Sequence, residues 1–243
     1  MGSIEISEED GVRYLHFGSE WVQGAMRIAR PWSLELQYTR EMMLPLLLRP
    51  RAGWPSSVLM VGLGSAAQTR FLHRYRPRSR ITVVEIDPAV VAAARQFFKL
   101  PEESARLRIE IGDGHEFVAA KPGRFDLVLV DGFDEKGRTG MLDTLPFYLH
   151  CRQRLGERGM MAVNLVDRSR GVGASVARLR EAFDDRVLVL PRCEEANTVA
   201  IAAVGRPIRK PREELLAAAR ELKAATALDL GPLVESLESG VAL

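Results

Sequence analysis

A glycine-rich loop is the first feature of the chain whose residue types and spacing could do chemistry. The segment 62–67 reads GLGSAA, follows a short apolar run and precedes a helical segment. Its glycines allow the backbone to turn tightly and to approach a ligand, and the next helix offers its N-terminus. The sequence therefore predicts a nucleotide- or nucleoside-binding loop, in which Gly62, Gly64 and Ser65 are candidate binding residues.

Two carboxylates follow the loop, each at the end of a further apolar run. Glu85 comes about twenty residues later, where a carboxylate can accept hydrogen bonds from both ribose hydroxyls. Asp113, which precedes Gly114, is placed to accept a hydrogen bond from an adenine amine. The alternatives are a solvated strand-end acid or helix cap for Glu85, and a turn residue between two glycines for Asp113. We predict that Glu85, Asp113 and Gly114 contact a nucleoside.

An acidic pair follows the strongest strand signal of the chain, FDLVLV at 125–130. Asp131 and Asp134 belong to the sequence DGFD, and such carboxylates can hold a cationic substrate or accept its proton. The alternative is a polar loop whose acids are incidental. Enzymes that bind NAD share the loop and the first acid, but they do not usually need acids after the third and fourth strands. The whole set therefore favours an adenosyl sulfonium over a dinucleotide.

These side chains need strands whose carboxyl ends meet at one edge of a sheet. Short apolar runs bounded by turns predict such strands, with helices at 66–75 and from Pro88, where Asp87 is the N-cap. The predicted strands are 58–61, 81–85, 107–111, 125–130 and 160–165, with 187–190 and 198–204 as a closing hairpin. This alternation predicts an α/β fold, a doubly wound and mostly parallel Rossmann-like sheet, which binds ligands at the carboxyl ends of its strands.

The two ends of the chain depart from this alternation. The first part predicts short strands at 4–6, 12–17 and 20–28, then a helix over 34–48 that stops before Pro50. A helix is predicted over 211–225, and we expect the last residues to be loose. The predicted divisions are a small N-terminal β region with a helix at 1–50, a nucleoside-binding catalytic domain at 51–205 and a C-terminal helical tail at 206–243.

Composition limits the classes of function. The chain has 243 residues, 47% hydrophobic and 27% charged residues and a net charge of +2, which gives no reason to expect nucleic acid as a partner. No apolar run approaches the roughly 20 residues of a membrane span, and two distant cysteines favour a reducing compartment. We expect a cytoplasmic protein without a metal, because no histidine has metal-ligand spacing. The five arginines between positions 70 and 80 are expected to form a solvated helix face.

Several segments together resemble the spermidine/spermine synthase family of aminopropyltransferases, over roughly residues 12–205. They are Val22-Gln23, Tyr38 in YTREM, GLGSAA at 62–67, VVEIDPAVV at 83–91, GDGHEFV at 112–118, FDLVLVDGFD at 125–134 and Phe147-Tyr148. The resemblance implies a small N-terminal β domain on a Rossmann-like domain. It also implies a homodimer.

The resemblance implies a reaction in which an amine attacks the methylene beside the sulfonium of decarboxylated S-adenosylmethionine. Asp134 would orient a small-molecule amine or polyamine and accept its proton, with Asp131 beside it. Gln23 and Tyr38 match positions that close over the nucleoside and the amine. Glu85 and Asp113 would keep the ribose and adenine roles given above.

Three positions depart from the family pattern. The glycine loop of the family usually carries an Asp that holds the aminopropyl ammonium, and Ser65 stands there. An Asp would repel the carboxylate of unmodified S-adenosylmethionine, at a cost of about a few kcal/mol. Asn164 replaces a Gln, and Cys193 replaces a Tyr that packs on the polyamine. The alternatives are therefore a methyltransferase that uses S-adenosylmethionine itself, or a family member that binds the nucleoside without catalysis.

Overall fold

A three-stranded antiparallel sheet begins the computed structural model, which describes residues 3–18, 21–51, 53–120, 123–133, 138–166, 171–193, 196–237 and 240–243. Its strands are β1 (Ile4–Glu9), β2 (Val12–Phe17) and β3 (Val22–Arg27), in that order. Asp10 and Gly11 join β1 to β2, and both have the positive φ that a tight two-residue hairpin turn requires. The predicted strands are confirmed, with β1 longer and β3 shorter than expected.

The helix predicted over 34–48 is wrong as a single element. Two short helices take its place, α1 (Gln37–Glu41) and α2 (Pro45–Leu48). Pro45 lacks a backbone N–H and its ring clashes with the preceding turn, so it begins a helix rather than continuing one. All four residues of α2 are buried, which explains why the apolar pattern runs through the break.

A seven-stranded sheet forms the centre of the molecule. Its strands are β4 (Ser57–Val61), β5 (Arg80–Glu85), β6 (Leu107–Ile111), β7 (Phe125–Val130), β8 (Leu155–Val166), β9 (Val187–Val189) and β10 (Asn197–Ala203). The order is β6-β5-β4-β7-β8-β10-β9, parallel from β6 to β8 and antiparallel for the last two strands. The predicted mostly parallel sheet and its closing hairpin are confirmed.

Five helices and one short 3-10 segment, Gly140–Asp143, connect these strands. The helices are α3 (Ala67–Tyr75), α4 (Pro88–Phe97), α5 (Gly114–Ala120), α6 (Leu145–Arg154) and α7 (Gly173–Ala182). Asp87 caps α4 as predicted, because its Oδ1 accepts a hydrogen bond from the Ala89 N–H at 2.8 Å. The chain leaves β4 toward β5 on one side and returns as β7 on the other. The ends of β4 and β7 are therefore the topological switch point at which such sheets bind ligands.

The central strands are buried on both faces. In β4, Val58 and Met60 belong to one apolar cluster, and Leu59 and Val61 belong to the cluster on the other face. Strands covered on both sides read as continuous apolar runs, which is why these strands were visible in the sequence. The core thus fixes the positions of the strand ends.

The C-terminal part is packed rather than loose. It contains β11 (Arg209–Lys210), α8 (Arg212–Thr226), α9 (Gly231–Ser236) and β12 (Val241–Ala242), and β11 pairs with β12. Leu230, Val234 and Leu243 are buried in the main apolar cluster, so the expectation of a loose end is wrong for the described residues. The domain divisions at 50 and 205 stay a prediction. Among the described helices, none has the length and apolar character needed to cross a membrane.

The expectation of a solvated arginine face on α3 is wrong for Arg70, which is buried. Its side chain is only 4% exposed, and it donates hydrogen bonds to the carbonyl oxygens of Pro31 (2.6 Å), Phe98 (2.7 Å) and Ser65. Burial lowers the pKa of this guanidinium to about 9. Arg70 therefore joins the glycine loop to the segment after β3 and to the end of α4.

Candidate active site

A cavity of about 570 Å³ opens at the carboxyl ends of β4, β5, β6 and β7, where the fold predicts a ligand site. Nearly all of the candidate residues line it together: Gln23, Tyr38, Gly62, Gly64, Glu85, Asp113, Gly114 and Asp131. Two candidates are not among these lining residues. Ser65 is turned away, and Asp134 lies outside the described residues.

The glycine loop passes unusually close to the end of β7. Gly62 has φ +96°, and a Cβ at this position would lie 2.1 Å from the backbone oxygen of Asp131. No other residue type fits that distance or that φ easily. Gly64, with φ +50°, also lines the cavity. The two glycines therefore bring the loop backbone to the cavity wall.

Ser65 packs against β3 instead of facing the main cavity. It is 3% exposed, and its hydroxyl donates a hydrogen bond to the Ala25 carbonyl at 3.3 Å. A Cβ on Gly24 would meet the Ser65 oxygen at 2.5 Å, so β3 and the glycine loop are in close contact here. Ser65 lines a separate small recess of about 20 Å³, which Gly64 and Asp131 also line.

Glu85 holds the glycine loop in place and also lines the cavity. Its Oε2 accepts a hydrogen bond from the Leu63 N–H at 2.8 Å, and its Oε1 accepts one from the Asp87 N–H at 2.9 Å. Burial raises the pKa of Glu85, and the bonds to these N–H groups oppose the rise. Each carboxylate oxygen has two lone pairs, so both oxygens retain acceptor capacity for a ligand.

Asp113 lies between the end of β6 and the start of α5. Its Oδ1 accepts a hydrogen bond from the His115 N–H at 2.7 Å, which is the turn role that the sequence left open as an alternative. Asp113 lines the cavity as well. Gly114 is required for packing, because a Cβ there would lie 2.3 Å from a methyl group of Val61.

Asp131 is the end of a hydrogen-bonded chain of side chains. Asn197 donates to the Asn164 side-chain oxygen at 2.8 Å, and Asn164 donates to the Asp131 Oδ1 at 2.8 Å. The Tyr38 side chain also hydrogen-bonds to this carboxylate. Burial nevertheless outweighs these bonds and raises the pKa of Asp131 to about 6. A carboxylate with this pKa is ionised at neutral pH and can still exchange a proton with a ligand.

The N-terminal sheet supplies an apolar wall at the mouth of the cavity. Phe17, Trp21 and Val22 line it beside Gln23, and Trp21 is 44% exposed. Arg27 pairs with Glu35 at the far end of β3, and that contact raises its pKa. Arg27 is not among the described residues that line the cavity.

Among the lining residues that were not predicted from the sequence, two polar ones bear on the chemistry of the site. Asn197 begins β10, and only the pairing of β10 with β8 brings it to Asn164. Arg138 lines the cavity beyond the segment that contains Asp134, and its charge in an otherwise acidic cavity was a signal that the sequence offered. Within the described residues, no group of three His, Cys, Asp or Glu side chains is arranged to hold a metal ion.

Cys193 lies next to another acid, outside the lining of the main cavity. Its thiol donates a hydrogen bond to the Glu41 Oε2 at 3.0 Å, and the Gln37 amide donates to the Glu41 Oε1 at 2.8 Å. Cys193 and Glu41 are both buried. The small thiol thus hydrogen-bonds to a residue of α1, at a position where the resemblance expects a tyrosine.

Several known proteins are similar to this chain in sequence or in fold. The family described as the spermine/spermidine synthase domain matches residues 36–165. A polyamine aminopropyltransferase of Chromobacterium violaceum is 35% identical over 238 residues, which cover 98% of this chain and 90% of that protein. A spermidine synthase in complex with the transition state analogue AdoDATO has a TM-score of 0.61 at 20% identity, covering 93% and 88% of the two chains. Human methyltransferase-like protein 13 in complex with SAH has a TM-score of 0.68 at 24% identity, covering 79% and 92%.

The fold and the cavity at its switch point define a Rossmann-like transferase. The family match covers more than half of the chain, and the relative from Chromobacterium violaceum matches along nearly its whole length. The chain belongs to the spermine/spermidine synthase family. The resemblance found in the sequence is therefore confirmed, and so is the expectation of a transferase.

Proposed function

We propose that the protein transfers an aminopropyl group from decarboxylated S-adenosylmethionine to a small amine or polyamine. The observation that carries this proposal is the set of three acids, Glu85, Asp113 and Asp131, around one cavity beside a glycine loop. The acids suit a cationic donor and a cationic acceptor. The relative named polyamine aminopropyltransferase and the neighbour that binds AdoDATO support the same donor class.

The nucleoside end of the donor would lie along the carboxyl ends of β4, β5 and β6. Gly62 and Gly64 let the backbone approach it, Glu85 accepts hydrogen bonds from the ribose hydroxyls, and Asp113 accepts one from the adenine amine. Gln23, on β3, would close over the nucleoside. The sulfonium would then lie near the end of β7, beside Asp131.

The reaction is a displacement at carbon. The lone pair of a neutral amine nitrogen forms a bond to the methylene carbon by which the aminopropyl group is attached to sulfur. The carbon–sulfur bond breaks and leaves its electron pair on sulfur, so neutral methylthioadenosine departs. The new ammonium must lose a proton, and a carboxylate accepts it. By the family resemblance Asp134 is that base, and Asp131, held by Asn164 and Tyr38, orients the amine beside it.

The second candidate is transfer of a methyl group from unmodified S-adenosylmethionine. Two observations favour it: Ser65 presents no carboxylate to the cavity, and Arg138 lines the cavity and could pair with the carboxylate of the donor. The structural neighbour that binds SAH has the same fold. The two candidates use different donors and transfer different groups, so donor binding distinguishes them.

Calorimetric titration with S-adenosylmethionine, its decarboxylated form and methylthioadenosine tests the proposal. We expect the decarboxylated donor to bind at least about tenfold more tightly than S-adenosylmethionine, because the acids of the cavity repel the donor carboxylate that only the latter carries. A tenfold difference in affinity requires only about 1.4 kcal/mol of such repulsion. Equal or reversed affinities would transfer support to the methyltransferase. If none of the three binds, the nucleoside site itself is wrong.

Variants then test the assigned roles. Glu85→Gln should weaken methylthioadenosine binding, while Glu116→Gln, an exposed acid on α5 outside the cavity, should leave it unchanged. Asp134→Asn should abolish the aminopropylated amine seen by mass spectrometry. Unchanged turnover in that variant would remove Asp134 from the mechanism.

A further inference from the structure

A second cavity, of about 380 Å³, lies at the amino ends of β4 and β5, the edge of the sheet opposite the candidate active site. Its walls come from the end of α2, the segment before β4, the loop between α3 and β5, and α8. Four arginines and two aromatic residues line it: Arg49, Arg51, Trp54, Tyr75, Arg76 and Arg78. The volume is within the range of small-molecule sites, roughly 300–1,000 Å³.

Buried donors in this cavity have no acceptor among the described residues. They are the Nε and Nη2 atoms of Arg49 and the indole Nε1 of Trp54. Unpaired buried donors are rare, because each loses its bonds to water and gains nothing in return. Burial, followed by the positive charges of Arg158 and Arg51, lowers the pKa of Arg49. Both residues line the cavity, so a small rotation of their side chains would let an anion there supply the missing acceptors.

The charge of the cavity lining is strongly unbalanced. Arg49, Arg51, Arg76 and Arg78 face one acid, Glu221 on α8, and no ion pair between them occurs within the part of the chain that the structure describes. Guanidinium groups match phosphate oxygens in pairs of parallel hydrogen bonds. Several of them together suit a ligand with more than one phosphate.

We propose that this cavity binds a small oligophosphate, either free or as part of a nucleotide. Arg49 and Trp54 contribute the buried donors, and Arg51 and Arg78 contribute exposed charge at the mouth. The aromatic rings of Trp54 and Tyr75 offer a surface for a base in the nucleotide case. The site does not depend on the aminopropyltransferase proposal, because it uses none of the same residues.

Calorimetric titration at low ionic strength with inorganic pyrophosphate tests the site. We expect one pyrophosphate per chain, and binding at least about tenfold weaker in Arg51→Ala/Arg78→Ala. Arg180→Ala/Arg209→Ala is the matched control, because it removes two exposed arginines elsewhere and the same net charge. It should bind pyrophosphate as the unmodified protein does. A parallel titration with uridine diphosphate distinguishes the sources: tighter binding than pyrophosphate indicates a nucleotide, and equal binding indicates phosphate alone.

A stability measurement separates loss of binding from misfolding. Arg49→Met removes a half-buried charge whose Nε and Nη2 have no acceptor among the described residues, so it should raise the free energy of unfolding while weakening pyrophosphate binding. Failure of pyrophosphate to bind the unmodified protein at about 1 mM overturns the proposal, and so does equal weakening in the control. If sedimentation shows that Arg51→Ala/Arg78→Ala only separates a dimer into monomers and pyrophosphate never binds, this face is a contact between copies and the proposal is wrong.

Discussion

Replacing Asp131 by asparagine should stabilise the fold at alkaline pH while it impairs the proposed reaction. Burial raises the pKa of Asp131 from a usual value of 3.8 to about 6, despite the hydrogen bonds from Asn164 and Tyr38. The folded state therefore holds the proton of Asp131 more tightly than the unfolded chain does. As the pH rises from about 4 to 6, the unfolded chain loses this proton first, and the folded state becomes relatively less stable.

The size of the effect follows from the two pKa values. A difference of about two units corresponds to at most about 3 kcal/mol of destabilisation above pH 6. Asp131 is only partly buried at the cavity wall, and solvent there reduces this to about 1–2 kcal/mol. Asparagine has nearly the same shape and still offers an oxygen to Asn164. The gain from Asp131→Asn should therefore be about 1–2 kcal/mol at pH 8 and should largely disappear at pH 4.

Urea unfolding at pH 4, 6 and 8 measures this gain directly. Glu181→Gln provides the control, because this acid is exposed on α7 and should leave the pH dependence unchanged. The same preparations should show that Asp131→Asn loses amine transfer. A variant that is no more stable than the unmodified protein at pH 8 would refute the argument that burial dominates at Asp131. So would a gain of equal size at pH 4 and pH 8.

Three further substitutions test the supports of the site. Arg70→Met should destabilise the protein by about 3 kcal/mol or more in urea unfolding, because three buried carbonyl oxygens lose their donor. Gly62→Ala should weaken nucleoside binding by at least about tenfold, or lower the unfolding temperature, because its Cβ meets a backbone oxygen at 2.1 Å; Gly173→Ala, at the start of α7 and outside the cavity, is the control, because its Cβ meets nothing within 4 Å. Leu230→Ala should cost about 2–4 kcal/mol if the C-terminal part belongs to the core, and a cost near zero would contradict the packing.

The sequence predicted the strand ends of the site well because two signals agree there. Buried parallel strands are apolar throughout, and the polar residue that ends each run marks the edge of the sheet. Glu85, Asp113 and Asp131 were found in this way. A helix cap for Glu85 and a turn role for Asp113 were left open as alternatives. Asp113 makes the turn contact with the His115 N–H, and Glu85 instead holds the glycine loop, while both residues line the cavity.

Other features depend on contacts between distant segments and could not be predicted from local pattern. The link from Asn197 through Asn164 to Asp131 requires β10 to pair with β8 in one register. Arg70 resembles any solvated helix arginine until three separate segments bring their carbonyl groups to it. The break at Pro45 was a local signal, but the apolar pattern on both sides concealed it.

The environment of Ser65 bears on donor selectivity. An aspartate at this position would place its carboxylate against the Ala25 carbonyl and the Gly24 backbone, in a site that is 3% exposed. Burying an unpaired charge beside a carbonyl oxygen is strongly unfavourable, so β3 and Ser65 fit each other and exclude the aspartate that the resemblance expects. Any preference for the decarboxylated donor must then come from another acid near the sulfonium. Asp131 lines both the main cavity and the recess beside Ser65, so under the proposed function this carboxylate is placed to contribute to donor choice as well as to amine orientation.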